Sequence, residues 1–413
     1  MEKKNVKIGI MGALRGYDLS RGAKECEIVA ICDNNEKVLN RVKKMINSDK
    51  IAFYNNFDEF IKHDMDGVLL ANYATEHVPF AIKAMKEGKH VLSEVLPCQT
   101  MKEAVELIEC IEQTKKIYCY AENYCYYSSI MKMKELYKAG VIGEFEYGEG
   151  EYIHNCEPIW ADITYGEENH WRNNLYANYY CTHSIGPLIH ITGLKPVSVV
   201  GFELPYSNRK ARMGAKGGTA GIEMITLENG AIIKSIHGDL VKNSIWYTIY
   251  GSKGRLECAR EDECEDNVSV LYENVDSKEA VFDGKSKREV IEKFENLGHG
   301  GSDYYPINNF ARKIRGEDVD TIDIYEALDM FLPGMFAYRS VLKGNISLEI
   351  PNLRIKEQRD KYRNDTMCTD KNVAKDMYVT PYSKGEIKHS KEVYDKIKQK
   401  YEESHKDMWL RRK

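Results

Sequence analysis

From Val6 to Ala121 the chain alternates between two periodicities, and this alternation restricts its fold more than any other feature. Short β-rich runs (VKIGIM, EIVAIC, GVLLA, HVL, IYCYA) are separated by helical patterns such as NEKVLNRVKKMI, EHVPFAIKAMKEG and TMKEAVELIECIEQTKK. Strand, helix and strand in repetition imply a mostly parallel sheet with helices on both faces. The spacing therefore predicts a doubly wound α/β domain over residues 1–121.

The texture then changes. After a bridging helix around Ser128 to Ala139, closed by Gly140, come EFEYGEGEYI, VSVVGFEL, AGIEMITLE, AIIKSIHG, SIWYTIYG and GRLECA, without helices between them. Asn229-Gly230, between two apolar runs, is a strong hairpin signal. Residues 122–350 are expected to form an α+β domain with an open, mainly antiparallel sheet. Helical patterns near Pro306 to Ile314 and Ile324 to Leu342 are expected to cover one face of that sheet. Residues 351–413 form a polar, partly helical extension, read as an arm packed on the same subunit or a neighbour. Tyr394, Ile397, Tyr401, Met408 and Trp409 give that arm something to bury.

Composition narrows the function classes. With 43% hydrophobic and 30% charged residues, and no apolar run of bilayer length, the chain reads as globular and not membrane-spanning. Its charged lead, MEKKNVKIGI, runs straight into a strand and leaves no room for a signal peptide, so a cytoplasmic location is expected. Eleven cysteines, an odd number without a CxxC pair, fit reduced packed thiols. A net charge of −5 with interleaved signs offers no footprint for nucleic acid. His154, His170, His183, His299 and Asp303 fall at no recognised ligand spacing, so no metal is expected.

IGIMGALRG follows the first strand and opens the first helix, where a dinucleotide fold needs tight turns and free N–H groups for a pyrophosphate. Gly12 and Gly16 suit that role, and Leu14 takes the place usually given to the middle glycine. Arg15 lies against the pyrophosphate or is a solvated turn residue. Asp33 ends the second strand, where a carboxylate accepts hydrogen bonds from an adenosine ribose, although DNNEKVL also suits a helix cap. Asn34 and Asn35 follow, with no arginine for a 2′-phosphate, which favours NAD over NADP. In HVLSEVLPCQT, Glu94 stands at a strand end, yet Val95, Leu96 and Pro97 after it cannot move a proton. A base has to come from elsewhere.

The block MDGVLLANYATEHVPFAIKAMKEGKHVLSE and the later motifs AENYCYY, GEGEYIH, CTHSIGP and GHGGSDYY resemble the Gfo/Idh/MocA oxidoreductase family from Val6 to about Pro351. The nearest resemblance is to its NAD-dependent glycoside hydrolases, typified by α-N-acetylgalactosaminidase. The resemblance implies a Rossmann domain followed by an open-faced α/β domain, with NAD as cofactor. It places Asn72, Ala74 to His77, Glu94 and Asn123 along the NAD, and Glu122, Tyr152, His154 and His183 around the nicotinamide. Arg172, Tyr179, His299 and Asp303 complete the candidate set on the substrate side. It also implies a homo-oligomer, a dimer or tetramer, covering the open sheet. Three positions depart from the family: Val95 where its dehydrogenases carry lysine, Tyr179 where they carry aspartate, and Asn243 where the hydrolases carry an aromatic residue.

His183 precedes a proline that is expected to open a helix, and a helix N-terminus disfavours imidazolium. A neutral imidazole is a competent base for a sugar hydroxyl. Tyr152 and His154, two apart on a strand, project from one face. The resemblance then implies oxidation at the sugar C3, loss of the C2 proton, departure of the C1 substituent, addition of water and return of the hydride. In that scheme His183 is the hydroxyl base, Tyr152 the C2 base, Glu122 a positioning or proton-transfer carboxylate and His154 the leaving-group acid. His190, between isoleucines, reads as a core histidine. The glycines of GHGGSDYY indicate a loop approaching a ligand, or a turn capped by Ser302 or Asp303. Two other readings stay open: a sugar or cyclitol dehydrogenase releasing NADH, and a dinucleotide-binding regulatory protein without turnover.

Overall fold

The computed structural model describes residues 5–260, 268–272 and 297–405; Met408 and Trp409 lie outside them. Six parallel strands form the first sheet: β1 (Val6–Met11), β2 (Cys26–Cys32), β3 (Ala52–Tyr54), β4 (Gly67–Leu70), β5 (His90–Ser93) and β6 (Tyr118–Tyr120). Their order is β3-β2-β1-β4-β5-β6, a doubly wound Rossmann arrangement. Period-2 alternation divides its side chains between two cores. Ile8, Ile10, Ile31, Leu69 and Leu92 pack on one side, and Met11, Ala30, Val68, Leu70 and Val91 on the other. Helix starts follow local chemistry: the Asn35 side chain accepts from Lys37 N and Val38 N, and Thr100 and Glu103 form a capping box. Asn35 is therefore the cap that DNNEKVL announces, which leaves Asp33 free to turn toward the first helix.

The second sheet has eight strands: β7 (Phe145–Ile153), β8 (Pro196–Glu203), β9 (Ala220–Leu227), β10 (Ile232–Gly238), β11 (Ser244–Gly251), β12 (Gly254–Cys258), β13 (Val268–Tyr272) and β14 (Leu348–Glu349). Its order is β13-β12-β11-β7-β10-β9-β8-β14, antiparallel throughout except for the parallel β7–β10 pair. The β9–β10 hairpin turns at Asn229-Gly230, with Gly230 at φ 87°. The helices Thr182–Thr192 and Ile324–Leu342 lie on one face. Gly150 of β7 admits the first of these closely, since a Cβ there would collide with the Ser184 carbonyl.

The helix Tyr304–Ile314 departs from expectation. Its Ile307, Phe310 and Ala311 join the core of Val6, Ile8 and Ile10 in the first domain, where the Phe310 ring lies over Gly67. Asn308 fixes this return by accepting from Lys24 N and Glu25 N and donating to the Gly22 carbonyl. An amphipathic stripe states that a face is buried, not which sheet buries it.

The extension crosses both domains. Arg359 and Arg363 pair with Glu112 and Glu109 on the helix Met101–Thr114, and Arg339 grips Asp365 through two hydrogen bonds. The final helix, Lys391–Ser404, buries Tyr394 and Ile397 against the second domain, with Tyr394 donating to the Gly214 carbonyl at 3.0 Å. Among the described residues no helix is long and apolar enough to cross a membrane.

Candidate active site

Gly12, Asp33, Asn72, Glu94 and Asn123 all lie just beyond the carboxyl ends of parallel strands, where open α/β sheets bind ligands. They line one cavity of about 1190 Å³, whose opposite wall comes from the second domain through Tyr152, His154, Arg172, Tyr180 and His183. Leu14, Arg15, Ala74, Val95 and His299 also line it.

The cofactor end is built on Gly12. Its φ of 92° is left-handed, and a Cβ would strike the Ala71 backbone, so glycine is required for the tight turn. No side chain caps the helix Ala13–Ser20 that follows, and its first turn holds no acidic residue. Asp33 receives the Ala13 N–H at 2.8 Å and the Asn35 N–H at 2.8 Å. Burial raises the Asp33 carboxyl, against the pull of those two donors. Asn72 Oδ1 is buried with no partner among the described residues. An uncapped helix start, a Cβ-free turn, a carboxylate at the second strand and an orphaned acceptor fit a dinucleotide.

Arg15 ties three segments together. Its Nε donates to Glu94 Oε1 at 2.7 Å and its Nη1 to Asp303 Oδ2 at 3.1 Å. Asn123 Nδ2 donates to the other Asp303 oxygen at 2.7 Å, and His299 Nδ1 lies 3.2 Å from Asp303 Oδ2. Burial opposes the charge on Asp303, but His299, Arg15 and Asn123 outweigh it and hold the carboxyl well below the usual carboxylate range. Burial likewise opposes the Arg15 cation, and Glu94 and Asp303 outweigh it. The cation beside Glu94 thus comes from the first helix rather than from position 95. The GHGGSD loop achieves this through consecutive left-handed residues, His299, Gly300 and Gly301 at φ 55°, 57° and 86°. Asp303 occupies the cap position of the next helix without making a side-chain cap bond.

At the other end, His183 lies in the first turn of the helix Thr182–Thr192. Pro187 lies inside that helix instead of opening it. Proline has no N–H for the carbonyl four residues back. The His183 carbonyl instead accepts from the Tyr247 hydroxyl. The imidazole Nδ1 is 2.6 Å from Glu122 Oε1, and the same oxygen accepts from Tyr124 N at 3.2 Å. A carboxylate accepts, so Nδ1 carries a hydrogen, and in the neutral imidazole Nε2 is then the nitrogen with the lone pair. The rings of Tyr124, Tyr152 and Tyr180 surround the imidazole at centroid distances of 4.2, 4.7 and 5.1 Å.

Tyr152 and His154 share a strand face, with the phenol oxygen 3.0 Å from His154 Nδ1. Burial raises Tyr152 well above the ordinary phenol, so the hydroxyl keeps its proton. Burial, then the neighbouring His183 and His299, lowers His154 and favours neutral imidazole. Arg172 stacks on Trp171 at 4.4 Å and on Tyr180 at 5.5 Å. His170 caps the turn that carries Arg172, its Nδ1 accepting from Arg172 N at 3.2 Å.

Two candidates lie away from the cavity. The Tyr179 ring packs against Tyr176 and Phe331, and its hydroxyl donates to the Cys98 carbonyl at 3.1 Å. Tyr180 faces the cavity in its place. His77 is buried behind the crevice wall, its Nδ1 2.9 Å from the Leu96 carbonyl and its Nε2 3.3 Å from that of Asn72. Glu122 and Asp303 do not line the cavity and reach it through His183, Arg15 and Asn123. His190 is buried between Glu326 and Asp320, at 2.6 and 3.2 Å, as a charge-paired core residue. Sequence reasoning missed Tyr124, Tyr180 and the Lys210–Asp239 pair; AENYCYY and NYYCTH held the first two without marking which tyrosine turns inward. Among the described residues no three His, Cys, Asp or Glu side chains converge as metal ligands.

These features define an NAD-dependent oxidoreductase-type enzyme. Residues 6–122 match the Gfo/Idh/MocA oxidoreductase family with an NAD-binding Rossmann fold. A glycosyl hydrolase family 109 protein of Solibacter usitatus is 26% identical over 397 residues, covering 84% of this chain and 88% of that protein. The alpha-N-acetylgalactosaminidase of Bacteroides fragilis is 24% identical over 375 residues, covering 79% and 85%. Among solved structures, a levoglucosan dehydrogenase in complex with NADH and L-sorbose superposes with a TM-score of 0.70 at 16% identity, covering 84% of this chain and all of that one. A myo-inositol 2-dehydrogenase from Lactobacillus plantarum gives a TM-score of 0.65 at 18% identity, with 84% and 100% covered.

Proposed function

We propose that this protein hydrolyses a glycoside by transient oxidation of its sugar, with no net redox change. The observation that carries the reading is His183, held at the cavity wall by Glu122 among three tyrosine rings, its Nε2 without a hydrogen-bond partner among the described residues. The similarity to glycosyl hydrolase family 109 proteins supports a sugar as substrate. NAD would be held along Gly12, Asp33, Glu94 and Asn123, and when bound would supply a reversible hydride acceptor for the sugar C3.

His183 Nε2 takes the C3 hydroxyl proton, and Glu122 behind it stabilises the imidazolium formed. The resulting C3 ketone acidifies the C2 proton. Tyr152, whose hydroxyl keeps its own proton, is a weak base alone. Its existing hydrogen bond to His154 resolves this: the Tyr152 oxygen takes the C2 proton as its hydroxyl proton passes to His154 Nδ1. The C1–C2 double bond forms, the C1–O bond breaks, and His154, now imidazolium, protonates the departing oxygen. Water then adds, hydroxyl to C1 and proton to C2. His183 gives its proton back to the C3 oxygen when the hydride returns. General acid–base steps of this kind contribute about 10²–10⁴-fold each.

The test incubates the enzyme with aryl glycosides and free sugars, following aglycone release and reduced-cofactor absorbance together. Aglycone without accumulating NADH is expected. NADH accumulation assigns the protein instead as a sugar or cyclitol dehydrogenase, and binding without either signal as a protein without turnover. His183→Ala or Tyr152→Phe retaining full turnover, with folding and NAD binding intact, removes that residue from the mechanism.

A further inference from the structure

The C-terminal helix Lys391–Ser404 has no part in the chemistry above, yet it stands at the far end of the same crevice. A second cavity of about 260 Å³ adjoins the large one. Leu14, Lys37, Val38, Asp162 and Tyr165 line both cavities, and Tyr401 and His405 close the smaller one. Its other wall is the helix Glu36–Ile46, which starts three residues after Asp33 and presents Lys37 and Arg41 one turn apart. Neither cation pairs with a carboxylate among the described residues.

The helix is fastened to the second domain at several points. Tyr165 and Tyr401 meet edge to face at 6.1 Å, and Ser404 donates to Asp162 at 3.0 Å. Gly166, at φ 65°, lets the Lys398 backbone approach where a Cβ would otherwise stand. Near its start, Tyr394 is bonded to the Gly214 carbonyl. The small cavity therefore lies between first-domain residues and an arm that the second domain holds in place.

We infer that this helix is a wall of the cofactor site: Tyr401 and Tyr165, opposite Leu14, Val38 and Arg41, enclose the adenine end of NAD and slow its release. Aliphatic side chains facing two phenol rings, with an arginine at the rim, suit a flat purine, which stacks on aromatic rings and on guanidinium. The neighbouring Asp33 suits the ribose attached to it. The cofactor then leaves only when the helix moves away from the first domain. Such retention serves a cycle that returns its hydride to the same sugar. It rests on the NAD-binding reading of the crevice and not on which sugar is bound.

The test measures NADH release from the full chain, by the fluorescence change when excess NAD displaces bound NADH, with no sugar present. Tyr401→Ala is expected to release NADH about 10-fold faster than the parent, the scale of losing one stacking ring. Tyr401→Phe, which keeps the ring, is expected to match the parent. Arg41→Ala reaches the same wall from the first domain and is expected to speed release as well. Unchanged release in Tyr401→Ala, with the melting temperature of the NAD-free protein preserved, overturns the inference. Should Tyr401→Ala fail to fold, unchanged release in Arg41→Ala overturns it in its place. Failure of the hydrolase reading looks different: no aglycone appears, while these release rates keep their expected order.

Discussion

His183 Nδ1 donates a 2.6 Å hydrogen bond to Glu122 Oε1, and the carboxylate is completely buried. That bond sets the tautomer that leaves Nε2 able to accept, and its charge favours the imidazolium formed on proton transfer. Glu122→Gln keeps the size and an acceptor oxygen but loses the charge. Its kcat/KM is expected to fall by about 10²–10³-fold with NAD affinity unchanged. Steady-state kinetics with parallel NAD titration checks this, and parental turnover removes Glu122 from proton transfer.

Arg15 neutralises two carboxylates, Glu94 and Asp303, whose side chains are 12% and 2% exposed. Arg15→Met leaves both charges facing each other without a cation. Breaking one partner of a buried pair costs about 3–5 kcal/mol, and the one-third exposure of Arg15 reduces this to about 2–3 kcal/mol. Urea unfolding of the NAD-free protein measures the loss. Arg15→Lys, a single point charge without the fork, is expected to recover only part of it.

Tyr179 and Tyr180 are adjacent in sequence with opposite duties. Tyr179→Phe removes the bond to the Cys98 carbonyl and is expected to lower stability by about 1 kcal/mol while leaving KM for the sugar unchanged. Tyr180→Ala strips the ring on which Arg172 stacks and is expected to raise that KM. Reversal of the two outcomes would place Tyr179 at the cavity.

Burial pulls His170 from 6.5 down to about 3, with Arg172 adding to the fall. Its Nδ1 must stay unprotonated to accept from Arg172 N. Between pH 6.5 and 3 the unfolded chain binds a proton here that the folded chain does not, so stability falls as pH drops through that window. The slope from this group approaches about 1.4 kcal/mol per pH unit. His170→Asn offers a cap acceptor that does not titrate and is expected to flatten the acid limb of a melting-temperature profile while leaving pH 7 stability close to the parent.

The first domain was legible because parallel strands are buried on both faces and read as apolar runs between amphipathic helices. Glu122, His154 and His183 were legible as motif residues, but their connections were not. Nothing in HVLSEVLPCQT announces that Arg15, far back in the chain, supplies the missing cation beside Glu94. Proline favours the first turn, which makes Pro187 the expected helix start; the helix begins at Thr182 instead, and Tyr247 satisfies the carbonyl that Pro187 leaves free. The choice between Tyr179 and Tyr180 depends on how the chain turns at Cys181, which no periodicity records. The apolar stripe of the helix Tyr304–Ile314 marks a buried face but carries no address for the sheet that buries it.

The most direct test of transient oxidation is hydrolysis of an aryl glycoside by the NAD-loaded enzyme in D2O, with the released sugar examined by NMR. Proton removal through Tyr152 and His154 is expected to leave deuterium at C2, while the hydride held on the cofactor and returned leaves C3 protonated. Full hydrolysis to a sugar without carbon-bound deuterium would contradict the mechanism.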